Sequence, residues 1–210
     1  MFTRRPPLRR CKVIRPLSSV TSRAFEEDPR SAGVDPDVPD RIWAQAERLY
    51  ATGTQPGIQL CLRRQGKVVL HRAIGHASGN GPDDKTNPHK VLLTPQTPIC
   101  IFSASKAITA MLIHHLDDQG VLHVDDRVAH YIPEFAQRGK EWITLKHVLT
   151  HRAGIAVVPA EYNKPELLAD RSKIVQLLCE AEPTSRAGGR LAYHALTGGF
   201  VLGEIIERVT

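Results

Sequence analysis

The 210-residue sequence has few aromatic residues and no long apolar run. Aromatic residues make up only 5% of the chain and do not cluster with lysine or arginine, so we expect no nucleic-acid partner. No stretch of about 18 apolar residues occurs, which excludes a transmembrane helix. The 15 glycines and 15 prolines follow no period, which excludes collagen-like and repeat architectures.

Cysteine is also scarce, and the four cysteines are far apart in the sequence: Cys11, Cys61, Cys100 and Cys179. No pair has C-x-x-C or metal-ligand spacing, so we expect free thiols in a reducing compartment and a cytoplasmic location. His147 and His151 have the i, i+4 spacing of a zinc pair, but Val148 stands where a metalloprotease has glutamate. The sequence therefore predicts no metal and no cofactor.

Positive charge is concentrated at the N-terminus. Residues 1–25 contain seven lysines or arginines and no acidic residue, whereas charges in the rest nearly balance. We predict a basic, disordered tail over residues 1–33 and a partial domain over residues 34–210. A mitochondrial transit peptide is the alternative for the tail, although three prolines (Pro6, Pro7 and Pro16) would interrupt an amphipathic helix there.

Hydrophobic periodicity predicts an α+β fold in which two or three strands precede several helices. A helix follows Asp37 or Asp40 and ends at Gly53, and a hairpin pairs residues 57–63 with residues 67–74. A short strand is expected at residues 98–102. The predicted helices that follow span residues 103–118, 145–149, 171–181 and 196–209, and the first of these has an apolar surface broad enough to be buried.

Ser103 and Lys106 lie at the junction between the predicted strand and this apolar helix. They are separated by one helical turn, so their side chains share a face. A serine hydroxyl needs a base to become a nucleophile, and a lysine can serve if burial lowers its pKa toward neutrality. The S-x-x-K tetrad is weak on its own, because an N-cap serine followed by a solvated lysine has the same spacing.

Several further blocks follow this tetrad in a fixed order, and together they are more specific than the tetrad. The blocks are residues 101–106 (IFSASK), 116–122 (LDDQGVL), 124–128 (VDDRV), 131–135 (YIPEF), 143–154 (ITLKHVLTHRAG), 191–197 (LAYHALT) and 203–210 (GEIIERVT). Over residues 40–210 the chain resembles the serine β-lactamase-like family, which contains class C β-lactamases, low-molecular-weight penicillin-binding proteins and related esterases.

The resemblance implies a truncated β-lactamase/transpeptidase-like fold, with the N-terminal strands and the helical region but without the C-terminal strands. It also implies that Ser103 is the acyl-accepting nucleophile, that Lys106 is its general base and that Tyr193 shares the proton transfer with the lysine. The reaction would be acyl transfer on a small-molecule ester or amide, without a cofactor.

The sequence departs from the family pattern in two ways. Ala195 stands where the second motif has asparagine, which favours an ester over a β-lactam substrate, and no third K-T-G or H-x-G motif is found. In the family, that third segment completes the oxyanion hole together with the backbone N–H of the nucleophile. Ester hydrolysis is therefore the predicted function. The alternatives are a catalytically incompetent remnant or pseudo-enzyme, and a β-lactamase or D-Ala-D-Ala carboxypeptidase-like enzyme.

Overall fold

The computed structural model describes residues 9–84, 86–157 and 165–210. The chain divides into two compact units, Met1–Cys100 and Ile101–Thr210. Helices in the described residues are all too short or too polar to cross a bilayer. All four cysteines are free.

The first unit is built on an antiparallel sheet with strand β3 at its centre. Strands β2 (Gly57–Arg64) and β3 (Lys67–Ser78) form a hairpin, and Gln65 and Gly66 in its turn have φ angles of 50° and 78°. Two residues with positive φ give the turn type that matches strand twist, so the predicted hairpin is confirmed. Strand β1 (Thr21–Arg23) pairs with the other edge of β3, and the two-residue strand β4 (Val91–Leu92) pairs with its end.

Helix α1 (Val38–Ala51) covers this sheet. Trp43, Ala46 and Tyr50 recur on one face of the helix, and all three are buried. They pack in one cluster with Val20, Leu70 and Ile74. The helix predicted between Asp37 and Gly53 is therefore confirmed.

A buried arginine joins three segments of the first unit. Arg72 on β3 is 4% exposed and donates two hydrogen bonds of 2.7 Å to the Glu26 carboxylate and one of 2.6 Å to Asp40 on α1. Burial alone would raise the pKa of Glu26, but hydrogen bonds from Arg72 and from the backbone of His71 outweigh it and lower the pKa. The segment that holds Glu26 is thus anchored to the sheet.

The prediction of a disordered tail over residues 1–33 is wrong for residues 17–32. This segment forms a 3-10 turn at Leu17–Val20, then β1, then a second 3-10 turn at Pro29–Ala32. Strand β1 is ordered by backbone pairing with β3. A strand of three residues is too short to show an alternation of apolar and polar residues in the sequence. Residues 1–8 lie outside the described part of the chain.

The second unit is helical. Its helices are α2 (Ser105–Asp118), α3 (Val128–Tyr131), α4 (Leu145–Leu149), α5 (Arg171–Glu180) and α6 (Thr197–Val209). The predicted helices at 145–149, 171–181 and 196–209 are confirmed within one residue at each end. They enclose an apolar core that includes Ile132, Phe135, Ile143, Ile174 and Ile205, each of which is fully buried.

Two expectations about the start of the second unit are wrong. Residues 98–102 form no strand; the chain enters a 3-10 turn at Phe102–Ala104 and continues into α2. Helix α2 is not buried over its broad apolar surface, because Ile113 and Leu116 pack into the core whereas Ile108 and Met111 are 60% and 68% exposed. Periodicity identified the helix but could not show which part of its surface would be covered.

Candidate active site

Ser103 lies in the 3-10 turn that leads into α2 and is exposed to solvent. Phe102, the residue before it, has a φ angle of 45°, a left-handed conformation that a bulky residue rarely adopts. The hydroxyl of Ser105 donates a 2.7 Å hydrogen bond to the carbonyl of Phe102 and so stabilises this turn. The turn directs the side chain of Ser103 toward the first turn of α2, where Lys106 follows.

Lys106 links Ser103 to the segment that precedes α6. Its Nζ donates a 3.3 Å hydrogen bond to Ser103 Oγ and a 2.6 Å hydrogen bond to the carbonyl of Ala195. The spacing of Ser103 and Lys106 therefore brings their side chains together, as the sequence predicted. The buried surroundings expected for Lys106 are not present, because this lysine is only partly buried and its neighbour Ala107 is exposed.

Tyr193 approaches the same pair from the segment before α6. Its ring centroid lies 5.0 Å from Lys106 Nζ. The nearby Ser103 hydroxyl and then Lys106 lower the pKa of the Tyr193 phenol, so the ionised form is favoured relative to a free tyrosine. All three sequence-predicted site residues thus lie together, although Tyr193 is 90 residues from Ser103 in the chain.

His151 makes a contact with Tyr193 that the sequence did not predict. In the structure the ring of His151 lies edge-on to Tyr193, with 4.9 Å between centroids. The ring of His147 makes a different contact: its Nδ1 accepts a hydrogen bond from the backbone N–H of Thr144 at the start of α4. Within the described residues no three His, Cys, Asp or Glu side chains are grouped so as to hold a metal ion.

Burial and charge both favour neutral imidazoles around Tyr193. Burial lowers the pKa of His151, and the positive charge of Lys106 lowers it further. His194 is fully buried, which lowers its pKa as well. Its Nδ1 is 2.6 Å from the carbonyl of Ala192, and its Nε2 accepts the backbone N–H of Ile155 at 3.1 Å. These bonds require a proton on Nδ1 and none on Nε2.

A cleft of about 450 Å³ opens beside Ser103 and Lys106. Much of its wall is apolar and comes from Phe102, Leu196 and Phe200. The Arg171 guanidinium also faces it, but Glu204 accepts a 2.9 Å hydrogen bond from this group and Glu207 is also in ion-pair contact with it. The cleft therefore offers a small molecule mainly apolar surface next to a serine hydroxyl.

Comparison with known proteins identifies relatives of this chain. A sequence profile described as Beta-lactamase matches residues 44–210. The Esterase/beta-lactamase LipL of Mycobacterium tuberculosis is 36% identical over 110 residues, which are 52% of this chain and 25% of LipL.

Solved structures show the same likeness. A penicillin-binding protein homolog from Caulobacter crescentus has a TM-score of 0.71 and 30% identity, with 89% of this chain and 45% of that chain covered. A family VIII carboxylesterase has a TM-score of 0.69 and 27% identity, with 81% and 44% covered. The chain thus spans less than half the length of each of these relatives.

Proposed function

Because this chain belongs to the beta-lactamase family and has the α+β fold of that family, we propose that it is a serine hydrolase that acts through Ser103, Lys106 and Tyr193. The predicted fold class is confirmed, and the chain covers about half of the relatives that share it. The observation that carries the proposal is the contact between Lys106 Nζ and Ser103 Oγ, with Tyr193 beside both groups.

In the proposed reaction, Ser103 Oγ attacks the carbonyl carbon of an ester. The proton of the hydroxyl passes to Lys106 as general base, and Tyr193 shares its transfer. The backbone N–H of Ser103 lies at the start of a helix, where N–H groups lack partners earlier in the helix and favour negative charge. The leaving alcohol receives the proton and departs, and water then releases the acyl group from the serine.

An ester is the substrate class that the site supports best. The cleft presents Phe102, Leu196 and Phe200 to the substrate, and these side chains match an apolar acyl or alkoxy group. Ala195 supplies no side-chain amide for a polar substrate such as a β-lactam or a D-alanyl peptide. One relative is an esterase/beta-lactamase by name and another is a carboxylesterase, in agreement with this preference.

A non-catalytic role is the second candidate. Ser103 is exposed, and Lys106 is only partly buried, whereas oxyanion stabilisation and base catalysis are strongest where water is excluded. The chain spans less than half the length of these relatives, and its sequence contains no K-T-G or H-x-G segment. A folded protein with an unreactive serine would support this candidate.

Labelling with a fluorophosphonate probe tests the proposed chemistry. We expect Ser103 to be labelled, Ser103→Ala to abolish labelling, and Lys106→Ala to slow it by about 100-fold or more because the general base is lost. Ser172→Ala is the control, because Ser172 is an exposed serine on α5 of the same unit and does not line the cleft. It should be labelled at nearly the wild-type rate.

The substrate preference is tested separately with two chromogenic substrates. We expect short-chain p-nitrophenyl esters to be hydrolysed faster than a chromogenic cephalosporin. Rapid cephalosporin turnover without ester hydrolysis would reverse the preference, and a folded wild-type chain that is neither labelled nor active would favour the non-catalytic role.

A further inference from the structure

His151 binds the backbone on both sides of Tyr193. The N–H of Ala192 donates to the carbonyl of His151 at 2.9 Å, and the N–H of His194 donates to His151 Nδ1 at 3.2 Å. With the edge-on contact between the His151 and Tyr193 rings, this gives three contacts between one histidine and three consecutive residues. These contacts fix the backbone on both sides of Tyr193, and the ring of His151 packs against its side chain.

The conformation of His151 is what allows one residue to bind both amides. Its φ angle is 59°, in the left-handed region. Histidine, asparagine and aspartate are the side chains found most often there apart from glycine. In this conformation the residue turns its carbonyl and its ring toward the same segment.

The bond to His194 depends on protonation, because Nδ1 can accept an N–H only when it carries no proton. The titratable groups that face the His151 ring are Lys106 on α2, Tyr193, and His194, whose ring stacks on it with 5.7 Å between centroids. The adjacent Arg152 has its guanidinium near the carbonyl of Gly188. A protonated His151 would lose its acceptor and place a second positive charge near Lys106.

We propose that the neutral imidazole of His151 is a positioning residue that holds Tyr193 against Lys106 and Ser103, and that protonation of His151 releases Tyr193. This inference rests on the proposed role of Tyr193 in proton transfer. His151 itself touches neither the nucleophile nor the substrate cleft described above, so it acts through the backbone and ring of Tyr193.

Nuclear magnetic resonance of the wild-type chain tests the proposal without requiring activity. At pH 7.5, long-range ¹H–¹⁵N spectra of the imidazole should show His151 as the neutral form with the proton on Nε2. When the pH is lowered, the backbone amide shifts of Ala192 and His194 should change together with the His151 ring, below about pH 6.5. A proton on Nδ1 at pH 7.5, or amides that do not follow the ring, would overturn the proposal.

Two substitutions of His151 distinguish a role in positioning Tyr193 from a role in the stability of the fold. His151→Asn keeps an acceptor near the place of Nδ1, tolerates the left-handed backbone and cannot be protonated. We expect its labelling rate at pH 7.5 to stay within about threefold of wild type and to lose the acidic decline that follows His151 protonation. His151→Ala removes the acceptor and the ring contact, and it should label about 10- to 100-fold more slowly because Tyr193 is misplaced.

His147→Asn is the matched control, since His147 also accepts a backbone N–H at 3.2 Å through Nδ1 but contacts Thr144 instead. Its amide shifts at residues 192 and 194 and its pH dependence should match wild type. If His151→Ala fails to fold, the comparison of His151→Asn with wild type still decides the matter, and an unchanged acidic decline in His151→Asn would refute the proposal. If the wild-type chain is not labelled, the proposed function fails, and the amide titration alone confirms or refutes the anchoring by His151.

Discussion

Helices α1 and α2 are both 14 residues long, yet they are covered very differently. Helix α1 buries Trp43, Ala46 and Tyr50 and leaves one large apolar side chain, Leu49, exposed. Helix α2 buries only two of its large apolar side chains and leaves Ile108, Met111 and Leu112 between 40% and 68% exposed.

This difference separates two uses of an apolar helix. In α1 the apolar face contributes to the stability of the first unit, because it packs against the sheet. In α2 the proposed base Lys106 lies in the first turn, the stabilising contacts lie at Ile113 and Leu116, and the exposed face between them contributes little. Substitutions in the two helices should therefore have very different costs.

The largest difference is expected between Trp43→Ala in α1 and Met111→Ala in α2. Trp43 is 3% exposed and also donates a 3.0 Å hydrogen bond to Glu47, so its removal should lower the free energy of unfolding by about 3–5 kcal/mol. Met111 is 68% exposed, so its removal should change the free energy by less than about 0.5 kcal/mol. Urea denaturation followed by circular dichroism measures both, and equal costs would contradict the comparison.

A second pair of variants compares a buried and an exposed isoleucine within α2, so that the residue type is the same. Ile113 is fully buried and Ile108 is 60% exposed. We expect Ile113→Ala to cost about 2–5 kcal/mol, because it leaves a cavity in the core of the second unit. Ile108→Ala should cost less than about 0.5 kcal/mol. A cost at Ile108 similar to that at Ile113 would mean that the exposed face is packed in solution.

The smallest expected effect is a loss of stability at mildly acidic pH. Burial lowers the pKa of His76 in the first unit and of His151 and His194 in the second. The unfolded chain therefore binds more protons than the folded chain below about pH 6.5, and stability falls as the pH drops through the lowered folded-state values. The loss should be greater in the second unit, which holds two of these histidines.

Each unit contains one of the two tryptophans, so fluorescence can follow the units separately. Trp43 reports on the first unit, and Trp142, which lies 3.9 Å from the Arg127 guanidinium, reports on the second. Urea midpoints at pH 7 and pH 5, measured in Trp43→Phe and Trp142→Phe backgrounds, give the two losses. A midpoint that rises at pH 5 would contradict the sign of the effect.

Local sequence signals predicted those features that depend on neighbours in the chain. The periodicity of α1, the turn at Gln65 and Gly66, the helix at Leu145–Leu149 and the spacing of Ser103 and Lys106 are all encoded within a few residues. Tyr193 was found only because a family resemblance linked it to a serine 90 residues earlier.

Features that depend on distant partners were missed. Strand β1 is ordered by pairing with β3 about 50 residues later, and His151 is defined by a left-handed backbone and by two amides more than 40 residues away. The exposure of α2 could not be predicted from the sequence either, because an apolar face has the same sequence whether or not another element covers it.

The left-handed conformation of Phe102 links the stability of the chain to the proposed reactivity of Ser103. Such a backbone costs about 1–3 kcal/mol for a residue other than glycine, and here it immediately precedes the proposed nucleophile. Replacement by glycine would relieve that cost but would loosen the turn that aims the hydroxyl. On the proposed mechanism, the stability of the chain and the reactivity of Ser103 would therefore compete at this one position.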